Sequence, residues 1–176
     1  AWIRVDAKRI TATRLIDKFA SRYGKFLDLS KKPDVPMAPD AKYIQMPSMD
    51  ASSVAERQLV AGMPYREVIG TLSYIARLCQ LGLSFSVNGM AQFVSNPGLA
   101  HWNLLKHVAE FAATQRDTGI TFRAPEPRTR QLVLVFDANW AGDRTSRRSV
   151  DSYVIFLYGN VTDFGSRKQK FAAMSS

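Results

Sequence analysis

Asp137 stands at the end of an apolar run, Leu132-Val133-Leu134-Val135-Phe136, with Asn139, Trp140 and Asp143 directly after it. A carboxylate delivered where a buried strand leaves the core can ligate a metal. In two-metal hydrolases of nucleic acids one such group bridges ions about 4 Å apart, which stabilise the attacking and leaving oxygens. One carboxylate does not suffice for this, and only Asp143, Asp151 and Asp163 are near in sequence. An Asp after a strand is equally a turn former, so both readings stand. The second chemical feature is positive charge. Arg144, Arg147 and Arg148 form one cluster, and Arg167, Lys168 and Lys170 form another. Two basic turns at one edge of a sheet can follow a phosphate backbone, although a solvated loop surface has the same composition.

The other reactive side chains carry less. His101 and His107 lie six positions apart, which is not a ligand spacing on one helix face. Cys79 falls on an apolar helix face with no histidine close in sequence to activate it, so it reads as core. Trp140 could stack on a base, or simply pack. A single cysteine excludes an intramolecular disulfide framework, and with two histidines it excludes a structural zinc cluster. The 24 Lys and Arg outnumber the 15 Asp and Glu, giving a formal net charge of +9 and a pI near 9.9. That balance favours a polyanionic partner, because each cation placed on a phosphate releases condensed counterions. With 46% hydrophobic and 22% charged residues the chain is able to bury a sizeable core. No apolar run approaches the roughly 20 residues that span a bilayer.

These residues need elements to position them. Leu15, Ile16, Phe19 and Tyr23 recur at helical spacing ahead of Gly24. Pro33, Pro36, Pro39 and Pro47 forbid a regular helix between Lys31 and Asp50, leaving an extended strap with Met37, Tyr43, Ile44, Met46 and Met49 as anchors. Pro64 opens a helix whose apolar face is Val68, Ile69, Leu72, Ile75, Ala76 and Cys79. A second helix carries Val87, Met90, Phe93 and Val94, and a third carries Trp102, Leu105, Val108, Phe111 and Ala112. The period then changes. Gly119 to Arg123 is a candidate strand, and Ala124-Pro125-Glu126-Pro127 breaks it. Leu132 to Phe136 reads as a central strand buried on both faces. Val150 to Tyr158, a Gly159-Asn160 turn and Val161 to Phe164 complete an antiparallel meander of three strands. Such a meander with no covering helix is an unfinished domain.

Pro64-Tyr65-Arg66-Glu67-Val68-Ile69-Gly70-Thr71-Leu72-Ser73-Tyr74-Ile75-Ala76 resembles the stretch that follows the polymerase in copia-type LTR retroelement reverse transcriptases. The resemblance continues through Phe93-Val94-Ser95-Asn96-Pro97, His101-Trp102, Leu105-Lys106 and Asp117-Thr118-Gly119-Ile120. It then reaches Asp137-Ala138-Asn139-Trp140-Ala141-Gly142-Asp143, similar to the element that opens the family's ribonuclease H domain. Arg147-Arg148-Ser149, Ser152-Tyr153-Val154 and Ser166-Arg167-Lys168-Gln169-Lys170 follow it in the family's order. There are departures: Asn139 stands where the family has Asp, and Phe164-Gly165 where it has Trp-Lys.

The resemblance implies an α+β chain: a small helical connection unit followed by an incomplete ribonuclease H-like antiparallel three-strand meander. Residues 1–63 would hold a thumb-side helix and Pro-rich extended linker, 64–123 the helical connection region, and 128–176 the N-terminal part of the ribonuclease H-like domain. Beginning at Ala1 without methionine, the sequence is expected to be a processed product or a fragment of something longer, and its end at Ser176 agrees with that expectation. The implied function is handling of an RNA/DNA hybrid. Metal-dependent hydrolysis of the RNA strand is expected only in the intact enzyme, where Asp137 would be a catalytic residue and Mg2+ ligand. Arg144, Arg147, Arg148, Arg167, Lys168 and Lys170 would grip nucleic acid, as hybrid or duplex. The remainder of the polyprotein or a larger assembly would be the other partner. No membrane is expected to be involved, and the expected location is intracellular, cytoplasmic in a virus-like particle or nuclear. The alternative is a domesticated or truncated non-catalytic remnant that binds nucleic acid or serves a structural role.

Overall fold

The computed structural model describes residues 4–6, 8–37, 53–124, 131–139 and 148–170. Within them the helical periodicity of the sequence becomes α1 (Thr13–Tyr23), α2 (Val54–Ala61), α3 (Tyr65–Leu78), α4 (Ser84–Ala91) and α5 (Leu99–Thr114). The expected apolar faces all turn inward. Ile16, Phe19 and Tyr23 of α1 share one core with Val68, Leu72 and Ile75 of α3, Val87 and Met90 of α4, and Leu105, Val108 and Ala112 of α5. Each Val, Leu, Ile, Phe or Met among them contributes about 1.5–3 kcal/mol on burial. The Tyr65 hydroxyl donates to the Met90 carbonyl at 2.9 Å, joining the start of α3 to the end of α4.

α2 lies in a segment for which no helix was expected. Its start is a reciprocal cap: the Glu56 N–H donates to Ser53 Oγ at 3.2 Å, and the Ser53 N–H donates to Glu56 Oε2 at 2.9 Å. Of the Pro-rich strap, residues 31–37 carry no regular structure; Met37 packs on the core and His107 Nε2 meets the Val35 carbonyl at 3.0 Å. Tyr43, Ile44, Met46 and Met49 lie outside the described residues.

Two three-stranded antiparallel sheets flank the helices. The first has the order β1 (Arg4–Asp6), β2 (Arg9–Thr11), β3 (Gly119–Thr121). The strand expected at Gly119 therefore pairs with the start of the chain. Gly119 permits that pairing, because a Cβ there would overlap the Ile10 carbonyl oxygen. The second sheet has the order β4 (Leu132–Asn139), β5 (Val150–Leu157), β6 (Asn160–Lys168), which is the expected meander.

Two details depart from expectation. Leu132 to Phe136 is not a central strand buried on both faces. β4 is an edge, and Leu132 and Phe136 are 67% and 76% exposed. In a meander the middle strand in chain order takes the centre, so β5 occupies it. The turn also sits one residue earlier, at Tyr158 and Gly159, whose φ angles of 48° and 78° suit a two-residue hairpin turn. Asn160 is thereby released to clamp the backbone of Arg123, which donates to Asn160 Oδ1 at 2.7 Å and accepts from its Nδ2 at 3.0 Å. The other edge of this sheet is occupied: Asn88 of α4 donates to the Ser166 carbonyl at 2.5 Å.

Candidate nucleic-acid interface

Strand register decides which basic residues meet. Asn139 pairs with Val150, and Val150 with Lys168; beyond them the Gln169 N–H donates to the Ser149 carbonyl at 2.9 Å. Arg148, Arg167, Lys168 and Lys170 consequently gather at one end of the second sheet, from two segments of chain. Arg148, Arg167 and Lys170 are exposed. Lys168 is half-buried and turned toward the helices, with its ammonium donating to Gln92 Oε1 at 3.1 Å, and burial draws its pKa down. It is thus less available to a phosphate than its neighbours. Arg144 and Arg147 lie outside the described residues.

Asp137 belongs to the same end. It pairs with Ser152, whose hydroxyl lies 3.2 Å from that of Ser166 on the next strand. The carboxylate is exposed, and Oδ1 accepts the Ala138 N–H at 2.9 Å. It rims a depression of about 290 Å³ that includes Phe85, Ser152 and Phe164. Among the described residues the other carboxylates of the meander do not converge on it. Asp151 accepts from the Gln169 amide at 2.6 Å, Asp163 accepts from the Tyr153 hydroxyl at 3.2 Å and sits opposite Ile155, and Asp143 lies outside the described residues. Among the described residues no three His, Cys, Asp or Glu side chains group as a metal site requires. Those residues do not fit a two-magnesium centre, and no catalytic step is derived through one.

Two of the minor candidates, His101 and Cys79, are structural. His101 is fully buried, stacks on Phe93 at 3.8 Å between centroids, and accepts the Gly98 N–H on Nδ1 at 2.9 Å, so it caps α5. Burial lowers its pKa and keeps it neutral. Cys79 is buried in the core, where burial raises the thiol pKa and makes it a poor nucleophile. Trp140 lies outside the described residues. Sequence reasoning missed Arg77, an exposed α3 residue that shares a cleft with Arg167. No local signal marks it, because the cleft exists only where α3 and β6 meet.

No family model matches the chain, and no solved structure does. It is 34% identical over 114 residues to the secreted RxLR effector protein 161 of Plasmopara viticola, covering 65% of this chain and 79% of that protein. It is 35% identical over 112 residues to the retrovirus-related Pol polyprotein from transposon RE2 of Arabidopsis thaliana, covering 64% of this chain. To the corresponding polyprotein from transposon RE1 it is 28% identical over 176 residues, 99% of this chain. The chain spans only 8% and 12% of the length of those two polyproteins. The chain belongs to the family of the Plasmopara viticola protein, and its homologues among the retrovirus-related Pol polyproteins of plant transposons give it a retroelement Pol origin.

Proposed function

We propose that this segment holds an RNA/DNA hybrid or duplex by its phosphate backbone, as the connection region and the front of a ribonuclease H-like domain of a copia-type Pol protein. The observation that carries the reading is the convergence of Arg148, Arg167, Lys168 and Lys170 on one sheet end, in a chain of retroelement Pol origin. Arginine and lysine contacts to phosphate position a duplex without reading its bases, so binding is expected to follow shape and charge. Hydrolysis of the RNA strand would be a property of an intact Pol enzyme, in which Asp137 would supply one carboxylate toward magnesium.

Salt dependence tests the binding. Each phosphate neutralised contributes about 0.9 to the slope of log affinity against log salt. Replacing Arg148 and Lys170 together by alanine should flatten that slope by about 1.8 if each meets one phosphate. An unchanged slope places the footprint elsewhere. A second reading is favoured by the effector-named relative, of which this segment covers 79%: the same fold serves as a free-standing, non-catalytic binding or structural component. The basic sheet end serves both readings where nucleic acid is bound, and a purely structural role does without it. They part on magnesium-dependent cleavage, which only the Pol reading expects once the downstream family segment is joined.

A further inference from the structure

A cleft of about 390 Å³ opens where α3 and α4 meet β6, beside the Asn88 clamp on the Ser166 carbonyl. Arg77 lines it from the helical side and Arg167 from the sheet side, and Ser73, Ser84, Asn88 and Ser166 share the lining. Among the described residues its lining holds two guanidinium groups and no carboxylate. Neither arginine forms an ion pair among the described residues. Asp151, opposite Arg167 in the register, is engaged by the Gln169 amide.

We propose that this cleft is a phosphate site in which Arg77 and Arg167 together grip one phosphodiester of a bound nucleic-acid strand. Two like charges lining one concavity repel each other until an anion enters, and a guanidinium fork matches phosphate oxygens with paired N–H donors. The serine hydroxyls and the Asn88 amide add neutral hydrogen-bonding groups. A nucleic-acid strand is favoured over an acidic peptide by continuity: Arg167 belongs both to the cleft and to the basic sheet end, so a strand followed along Arg148 and Lys170 arrives here. The proposal rests on the nucleic-acid reading above and adds a residue from the helical unit to it.

The experiment uses the full chain with a short fluorescein-labelled RNA/DNA hybrid, titrated across salt concentrations. Arg77→Gln should weaken binding several-fold, and the Arg77→Gln, Arg167→Gln double variant should flatten the salt slope by about 0.9, since both residues serve one phosphate. A double variant that loses about 1.8 would mean two separate phosphates and would overturn the shared grip. Should Arg77→Gln bind as the parent while the Arg148 and Lys170 variants weaken, the cleft proposal fails and the sheet-end reading stands. Should the parent bind no hybrid, that reading fails, and inorganic phosphate judges the cleft alone. The Nε–H resonances of Arg77 and Arg167 should then shift with one common saturation curve, and the Arg167 response should collapse in Arg77→Gln. Unshifted resonances, or displacement of phosphate by an oligoglutamate peptide of higher affinity, would overturn it.

Discussion

Removing the Asn160 side chain tests how the basic sheet is fixed to the helical unit. Asn160 makes two hydrogen bonds to the Arg123 backbone, at 2.7 and 3.0 Å, just beyond β3. Each such bond contributes about 0.5–1.5 kcal/mol net, and at this exposed position the lower half of the range applies. Asn160→Ala should therefore cost about 1–2 kcal/mol. In a chain of this size that corresponds to a fall of roughly 2–8 °C in Tm. Asn160→Asp keeps the acceptor for the Arg123 N–H and loses the donor to its carbonyl, so about half the loss is expected. Thermal unfolding by circular dichroism reads the total, and hydrogen exchange at the Arg123 amide reads the local opening. Parental melting together with unchanged protection at Arg123 would refute the clamp.

The exposed β4 edge should make the chain associate with itself or bind apolar dyes, since Leu132, Leu134, Val135 and Phe136 are all more than half exposed. Phe136→Lys should lower both light scattering and dye fluorescence, and a parent that is monodisperse and dye-silent contradicts the expectation. Acidification should destabilise the fold through His101. Its folded-state pKa lies below the ordinary 6.5, so the unfolded chain binds more protons in the window just below that pH, and stability is lost as pH falls through it. His101→Gln keeps an acceptor for the Gly98 N–H without a titrating ring, and it should flatten denaturant-derived stability across that window; an unaltered profile would remove His101 as the cause. Asp17, held below the usual carboxylate range by its hydrogen bond from Arg116, should act only at more acidic pH.

The helical unit was legible in the sequence because a 3.6-residue period is a local property. The spacing of Val68, Leu72 and Ile75, or of Leu105, Val108 and Ala112, states which face is buried without naming the neighbour. The hairpin was legible for a similar reason, since Gly159 supplies the positive φ that a tight turn demands. α2 was readable too, since Ser53 followed three residues on by Glu56 is the reciprocal cap of a helix start. Local periodicity and composition thus set the inventory: helices with their inward faces, a three-strand meander, and a surplus of cations in the second half. Pairing arises from contacts between distant segments. β2 finds β3 from the opposite end of the helical unit, β4 falls at an edge although its residues suit a centre, and Arg77 meets Arg167 across a cleft. An apolar run records that a surface can be buried, and a charge records that it can be paired, but the partner in each case is set by contacts far apart in the chain.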